Sequence, residues 1–309
     1  MRDLRDRVTT EVAKVVVGQD DVTEALLLAA VVGGHVLLEG VPGVAKTLLA
    51  DTFARALDVE FGRVQFTPDM LPSDLTGTMT LRRDELVFRP GPIFTSVLLA
   101  DEINRTPPKT QAALLEAMQE RHVTVDGDPH ELPDPFLVVA TQNPIEYEGT
   151  YPLPEAQLDR FLFKVNVGYP SETDEKAMLG LARSGLRPSG SANVSPVASA
   201  DDLRRARELV DATTVSDEVA SYVTAVVRQT RSLPAVEVGA SPRAAVHLLA
   251  ASKASARLGG REFVTPDDVR RVGPIVMPHR LVLRPEAELE RYTPEAAVQA
   301  AFQTVPVPR

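Results

Sequence analysis

The sequence predicts an α/β protein with a parallel sheet in its N-terminal half and helices in its C-terminal half. Short apolar segments alternate with helix-like segments as far as residue 167, a pattern typical of parallel sheets. A glycine-containing turn at residues 40–47 joins one such apolar segment to an amphipathic one. From Tyr169 onward, apolar residues recur mainly at helical spacing. We therefore predict two domains, residues 1–167 and 168–309.

The individual elements follow from local patterns. A hairpin is predicted at residues 122–130, where the chain turns at Asp126-Gly127. Residues 75–77 and 86–88 suggest another small hairpin. A helix after the third strand is predicted to have Thr106 as its cap and Pro107 at its first position. Residues 187–200, rich in Ser, Pro and Gly, predict a loop. The five candidate strands are residues 36–38, 61–65, 97–100, 136–141 and 162–167.

Residues 40–47, Gly-Val-Pro-Gly-Val-Ala-Lys-Thr, have the character of a phosphate cradle. Between a strand and a helix, the backbone N–H groups and the helix N-terminus face the anion. The Lys46 ammonium would neutralise the phosphates, and the Thr47 hydroxyl would reach a magnesium ion. Ala45 stands where glycine usually precedes the lysine. We predict a negative φ there, because a left-handed alanine costs on the order of 1 kcal/mol.

An apolar segment at residues 96–100 ends in two adjacent acids, Asp101 and Glu102. Such acids are costly to bury unless they emerge at the strand tip and meet a cation. Asp101 is predicted to hold Mg²⁺, directly or through water, and Glu102 to orient and deprotonate an attacking water. Without the cradle upstream, two solvated carboxylates would be the alternative.

Three further polar side chains are candidates for the same chemistry. Asn143 follows the fourth strand, where an amide could hold water against a γ-phosphate. Arg160 is a candidate finger for a neighbouring subunit, because a guanidinium spreads its charge and stays protonated. Arg243 projects from the start of a helix that Ser241 caps and Pro242 opens. Taken singly, each arginine is more typical of a surface or salt-bridge residue, and only its order relative to the two nucleotide motifs favours a catalytic role.

Four motifs together resemble the MoxR-type AAA+ ATPases over nearly the whole chain. They are residues 40–47, residues 99–105 (Leu-Ala-Asp-Glu-Ile-Asn-Arg), residues 140–144 (Ala-Thr-Gln-Asn-Pro) and the most specific, residues 148–161 (Glu-Gly-Thr-Tyr-Pro-Leu-Pro-Glu-Ala-Gln-Leu-Asp-Arg-Phe). The resemblance implies a P-loop AAA+ core with inserted hairpins, followed by an all-helical lid. An independent helical bundle is the alternative for the second domain.

The resemblance also implies roles for individual residues. Asn143 would be the first sensor, Arg160 the arginine finger and Arg243 the second sensor, acting in its own or a neighbouring site. Val17, Gly18 and Gln19 would lie beside the adenine. The residues expected to bind nucleotide are Gly18, Gln19, Gly40, Pro42, Gly43, Val44, Ala45, Lys46, Thr47 and Leu48, with Thr47 and Asp101 at the metal.

Composition narrows the function. The chain has no cysteine, which suits a reducing cytoplasm. The charged N-terminus is unlike a signal peptide, and the longest apolar stretch is too short and too broken to span a membrane. The net charge of −10 and the acidic hairpin tip at Asp126 make nucleic acid an unfavourable partner.

The resemblance therefore implies an ATP- and Mg²⁺-dependent motor that works as a homo-oligomeric ring, expected to be a hexamer. Its implied role is chaperone-like: it remodels or activates a client protein, often by metal or cofactor insertion, with a partner that carries a von Willebrand factor A-type domain. A nucleic-acid translocase is the main alternative. A nucleotide switch without hydrolysis is disfavoured, because every catalytic position holds a competent residue.

Overall fold

The computed structural model describes residues 1–143, 149–183 and 193–308. Pro144 and Glu148 of the quoted motifs, and residues 187–192 of the predicted loop, lie outside the described residues. The strands are β1 (Val36–Glu39), β2 (Phe61–Gln65), β3 (Gly77–Arg82), β4 (Glu85–Pro90), β5 (Val97–Asp101), β6 (His122–Val125), β7 (Asp128–Glu131), β8 (Leu137–Gln142), β9 (Phe163–Asn166), β10 (Val236–Val238) and β11 (Val282–Leu283).

The helices alternate with strands in the first half of the chain and dominate the second. They are α1 (Arg2–Ala13), α2 (Asp20–Val32), α3 (Lys46–Ala56), α4 (Pro72–Thr76), α5 (Pro108–Glu120), α6 (Glu155–Leu158), α7 (Glu172–Arg183), α8 (Ala200–Asp211), α9 (Asp217–Thr230), α10 (Pro242–Leu258), α11 (Pro266–Val276), α12 (Pro285–Leu289) and α13 (Pro294–Thr304). In the part of the chain that the structure describes, no helix has the length and apolarity needed to cross a membrane.

The core is a five-stranded sheet in the order β2-β5-β8-β1-β9. Every pairing is parallel. The inner strands are almost continuously apolar because both faces of the sheet are covered, as parallel sheets require. All five predicted strands are confirmed, each within one residue of its predicted bounds.

Both predicted hairpins are present. β3 and β4 pair antiparallel and turn through Arg83 and Asp84, which have positive φ. β6 and β7 turn through Asp126 and Gly127, also with positive φ. Two consecutive left-handed residues are the geometry that matches the twist of a two-residue hairpin.

The predicted start of α5 is wrong by one residue. Pro107, not Thr106, is the N-cap, with φ −58° and ψ 153°, and Pro108 takes the first helical position. The reason is the Pro-Pro sequence, since a residue that precedes a proline is driven out of the helical region. Thr106 instead follows the short 3₁₀ turn Ile103–Arg105.

The C-terminal part is helical, as predicted, except for a short antiparallel pair formed by β10 and β11. Ser241 caps α10, accepting from the backbone N–H of Ala244 at 3.3 Å. Thr265 caps α11 in a box closed by Asp268. β10 and β11 are too short for any alternation to predict them.

The helical part is packed onto the sheet through α2. This helix is buried along most of its length and contacts β1 and β9 on one side and α8 and α10 on the other. One continuous apolar cluster therefore joins the core to the lid helices. That continuity argues against an independent helical bundle.

Candidate nucleotide site

The carboxyl ends of β1, β5 and β8 meet at one edge of the sheet. Glu39 at the end of β1 lies opposite Gln142 at the end of β8, and the backbone N–H of Gly40 donates to the Gln142 carbonyl at 3.3 Å. Asp101 ends β5, the strand next to β8. The cradle, the two acids and Asn143 therefore lie at the edge where parallel α/β sheets bind their ligands.

The cradle wraps an open space beside β9. Gly40 is buried, and a Cβ there would lie 2.4 Å from the Val167 carbonyl oxygen, so no larger residue fits. Gly43 has φ 88° and no heavy atom within 4 Å of an added Cβ. Lys46 is the first residue of α3, and its Nζ donates to the Gly40 carbonyl at 2.6 Å. A lysine that crosses its own loop in this way is placed to meet a phosphate there.

The prediction of a negative φ at Ala45 is wrong. Ala45 is left-handed, with φ 60° and ψ 23°. Its carbonyl already accepts the helical N–H of Leu49 at 2.9 Å, while the preceding loop turns out of β1. The chain enters α3 through the left-handed region at this residue. The left-handed backbone conformation costs an alanine about 1–2 kcal/mol of free energy.

Asp101 is held firmly at the end of β5. Its Oδ1 accepts from the Thr141 hydroxyl at 2.6 Å, and its Oδ2 accepts from Arg63 Nη2 at 2.8 Å and Nε at 3.2 Å. A carboxylate oxygen here and the Thr47 hydroxyl at the start of α3 are the hard oxygen donors that Mg²⁺ prefers. The residues present therefore fit a magnesium ion.

Glu102 sits in a strained conformation. It has φ 58° and ψ 50°, a region that glutamate seldom occupies, and its backbone N–H donates to Thr141 Oγ1 at 2.9 Å. Its carboxylate Oε2 accepts from Gln65 Nε2 at 2.6 Å and from Arg105 Nη1 at 2.9 Å. Strain of this kind persists where the surroundings enforce it, and it concentrates at functional sites.

Sequence reasoning missed Arg63, Gln65 and Thr141. Arg63 and Gln65 alternate along β2 and face the same side, toward the two acids of the neighbouring strand. The polar residues in an otherwise apolar strand were the signal available. Asn143, which was predicted, is only 5% exposed, and it follows directly after β8.

Gly18 and Gln19 line a cleft between the core and the lid. Its volume is about 630 Å³, and Lys164 of β9 and Ile275 of α11 form its opposite walls. Val167, just beyond β9, is the residue against which Gly40 packs, so the cleft lies beside the cradle. The resemblance implies that adenine would lie beside Gly18 and Gln19, and this assignment stays a prediction.

Arg160 and Arg243 lie away from the cradle and from the cleft of Gly18 and Gln19. Together with Arg121 they line a cavity of about 310 Å³ beside His35, the residue that precedes β1. The backbone confirms the location, because Leu162 N–H donates to the His35 carbonyl at 2.9 Å. The four residues of β1, about 13 Å of strand, separate this cavity from the cradle. The structure thus brings the two arginines together at the amino edge of the sheet.

Two histidines of this cavity are held neutral. Burial, reinforced by the charge of Arg121, lowers the pKa of His35 to about 3. Its Nδ1 accepts from Val138 N–H and its Nε2 lies against the Met118 carbonyl, both at 3.0 Å. Burial also lowers the pKa of His247 to about 3, with Arg280 and Arg243 adding to the shift. The positive charge of the cavity therefore comes from its arginines.

Comparisons with known proteins agree with this architecture. Residues 35–163 match the ATPase family associated with various cellular activities (AAA), and residues 228–301 match an AAA lid domain. Chaperone MoxR1 of Mycobacterium tuberculosis is 46% identical over 98% of this chain and 82% of its own length. Protein MoxR of Methylorubrum extorquens is 34% identical over 99% and 96%.

Among solved structures, a candidate ATPase from Cytophaga hutchinsonii superposes with a TM-score of 0.92. It is 39% identical and covers 100% of this chain and 96% of that one. The likeness is therefore one of sequence and fold over the full length, in both the sheet and the helical part. On this evidence the chain belongs to the MoxR-type AAA+ ATPases.

Proposed function

We propose that this protein is a chaperone-like motor that hydrolyses ATP in a cytoplasmic ring, a hexamer, with each nucleotide held between two subunits. The observation that carries the proposal is the separation of the two half-sites. The cradle with Asp101 and Glu102 lies at the carboxyl edge of the sheet, and Arg160 and Arg243 lie at the amino edge. A head-to-tail contact would join one subunit's carboxyl edge to its neighbour's amino edge, and such contacts close into rings.

In each site formed by two subunits, different residues of this chain would have different roles. The cradle and Lys46 bind the phosphates, and Thr47 and Asp101 would hold Mg²⁺, which supplies charge neutralisation on the phosphate oxygens when bound. Glu102 would take the proton of the attacking water, which Asn143 orients. Arg160 and Arg243 of the neighbour would stabilise the charge that develops on the transferred phosphoryl group. Both arginines would thus act in a neighbouring site.

The expected client is a protein. At the tip of the β3–β4 hairpin, Leu81 and Leu86 are cross-strand partners that are 69% and 68% exposed. Exposed apolar pairs suit contacts with protein, since they offer nothing to a phosphate backbone. The second hairpin turns at Asp126, an acid that repels nucleic acid. Metal or cofactor insertion into the client, together with a von Willebrand factor A-type partner, is the specific form that we propose.

The test compares the rate of ATP hydrolysis in the presence of client or partner proteins with the rate in the presence of DNA. We expect the rate of ATP hydrolysis per subunit to rise with protein concentration as rings form, and to rise further with client or partner proteins. Single-stranded and duplex DNA should leave it unchanged at low salt. Strong, salt-sensitive stimulation by nucleic acid would favour the translocase alternative. Proteins that co-purify with a Glu102→Gln variant in ATP, and not with Lys46→Ala, would identify the client.

A further inference from the structure

A buried arginine joins the core to the lid beside the two arginines of the amino edge. Arg280 ends the 3₁₀ turn Pro278–Arg280 after α11, and its side chain is only 1% exposed. Arg280 belongs to a set of linked residues that we call the latch: Asp159, Ser241, His247 and Arg280, in which Ser241 is joined through Asp159. The latch draws on both domains, since Asp159 precedes β9 and the other three belong to the lid.

On the core side, the latch grips the chain on both sides of Arg160. Arg280 Nη2 donates to the Phe161 carbonyl at 2.6 Å. Its Nε lies 3.5 Å from Asp159 Oδ1. The residues immediately before and after Arg160 are therefore both held by a single guanidinium.

On the lid side, the latch grips the start of α10 around Arg243. The Ser241 hydroxyl, which caps α10, lies 3.1 and 3.3 Å from the two carboxylate oxygens of Asp159. Arg280 Nη2 lies 2.6 Å from Nδ1 of His247, one helical turn after Arg243. Because arginine can only donate, the neutral His247 ring accepts through Nδ1.

Stability alone does not account for a buried guanidinium at this place. Burial lowers the pKa of Arg280 to about 10, although the charge of Asp159 opposes the shift. Among the described residues, Nη1 has no hydrogen-bond partner, which adds to the cost of burial. Well-packed apolar residues often replace buried ion pairs without loss of stability. The planar guanidinium of Arg280 forms hydrogen bonds to both domains at once. It can therefore fix the position of one domain relative to the other, which an apolar side chain cannot do.

We propose that Arg280 is a positioning residue that sets the spacing of Arg160 and Arg243, so that the two arginines act on a neighbour's nucleotide as one unit. The proposal rests on the proposed function, in which these arginines serve the neighbouring site. It adds that their alignment depends on contact between core and lid. A displacement of about 1 Å in such a constellation can lower the rate about 100-fold.

The first test is Arg280→Met, which removes the fork and keeps most of the volume. We expect turnover to fall about 100-fold, while the affinity of the variant's own cradle for ATP stays at the parental value. Backbone hydrogen exchange should rise across residues 155–163 and stay unchanged across residues 40–49. Arg280→Lys, which keeps the charge but loses the fork, should show the same pattern with a smaller loss, and it covers the case in which Arg280→Met does not fold.

Arg261→Met is the matched control. Arg261 pairs with the buried Asp268 at 2.5 Å and 2.6 Å, but this pair lies wholly within the lid. The variant should lower the unfolding temperature at least as much as Arg280→Met, and yet keep parental turnover. Turnover that simply follows the unfolding temperature across these variants would overturn the positioning role.

Mixed rings separate the two roles of a subunit. Arg280→Met subunits keep an intact cradle, so mixing with Lys46→Ala subunits, which still supply both arginines, should restore part of the activity. Mixing with Arg160→Ala subunits should restore none, because neither partner then supplies aligned arginines. Recovery with Arg160→Ala, or parental turnover in folded Arg280→Met, would contradict the proposal. Parental turnover in Arg160→Ala alone would instead contradict the proposed function.

Discussion

The two edges of the sheet differ in what they offer a nucleotide. The carboxyl edge has a phosphate cradle, two carboxylates and an amide, whereas the amino edge has Arg160 and Arg243 around a cavity with two neutral histidines. By our proposal, the first edge holds a base and metal ligands and the second holds the cations that stabilise the transition state. By the same proposal neither edge is a complete site, and the catalytic unit is a pair of subunits.

The edges also differ in how they are held. Ala45 and Glu102 at the carboxyl edge are left-handed, and so is Arg121, which lines the cavity of the amino edge. The amino edge is in addition held by buried side chains, among them His35 and Arg280. Relief of strain at Ala45 can therefore increase stability, whereas mutation of the buried side chains at the amino edge mainly lowers it. The predictions below test this comparison from the largest expected effect to the smallest.

Lys46→Ala should abolish ATP binding, because it removes the ammonium that crosses the cradle to the Gly40 carbonyl. Titration of a fluorescent ATP analogue measures the loss. Lys253→Ala, which removes a lid lysine whose Nζ donates to the Asp211 carbonyl, is the matched control and should bind normally. Retained affinity in Lys46→Ala would remove the cradle from the proposed site.

Arg160→Ala should lower turnover by about 10³–10⁵-fold, the usual worth of an arginine finger. Nucleotide affinity should stay near the parental value, because the finger acts mainly on transition-state charge. Mixing with Lys46→Ala subunits should return part of the activity, since some interfaces then pair a good cradle with a good finger. No recovery from subunits that demonstrably exchange would exclude action on a neighbouring site.

Glu102→Gln should keep ATP binding and lose turnover by about 10²–10⁴-fold, because an amide cannot accept the proton of water. A single-turnover assay with pre-bound ATP separates the chemical step from binding. Glu120→Gln, at the exposed end of α5, is the control. Parental turnover in Glu102→Gln would assign the base to another residue.

The sequence predicted the local part of the carboxyl edge, but it missed Arg63, Gln65 and Thr141, which reach the two acids from other strands. A strand, a turn with fixed glycines and a helix lie within a dozen residues, and Asp101 and Glu102 follow directly from a buried strand. The five strands were placed within one residue by their apolarity alone. The position of the two acids beside the cradle could also be predicted from the sequence, since parallel strands bring their carboxyl ends together.

The amino edge could not be predicted in the same way because it is assembled from distant segments. Arg160 and Arg243 are 83 residues apart, and only the packing of α10 against the core places them in one cavity. The latch depends on Arg280, which no pattern in the sequence marks as buried. The prediction of a negative φ at Ala45 was wrong for a different reason. The path of the loop gives the residue a left-handed backbone, although alanine prefers a negative φ.

Acid should destabilise the protein through the amino edge. The pKa of His35 is about 3 in the folded protein and 6.5 when unfolded, so stabilisation is complete above pH 6.5 and is lost as the pH falls toward 3. At a slope of about 1.4 kcal/mol per pH unit, the contribution of His35 to the free energy of unfolding should fall by about 2–3 kcal/mol between pH 6.5 and 4.5. The loss arises because a protonated Nδ1 could no longer accept from Val138 N–H.

Urea unfolding of His35→Gln from pH 7.5 to 4.5 checks this assignment. The variant should be less stable at pH 7.5, because the packing is imperfect, but its stability should depend less on pH than that of the parent protein. His247 and His279 are present in both proteins, so the difference in pH dependence reports on His35. Identical pH slopes would show that His35 does not contribute.

Ala45→Gly should stabilise the protein by up to about 1 kcal/mol. Relief of the left-handed alanine is worth about 1–2 kcal/mol, and the extra freedom of glycine in the unfolded chain returns about 0.5–1 kcal/mol. Ala50→Gly, in the buried interior of α3, is the matched control and should be destabilising by about 1 kcal/mol. Urea unfolding of the three proteins measures both changes. If Ala45→Gly were destabilising to the same degree as Ala50→Gly, the left-handed backbone of Ala45 would not be a source of strain at the carboxyl edge.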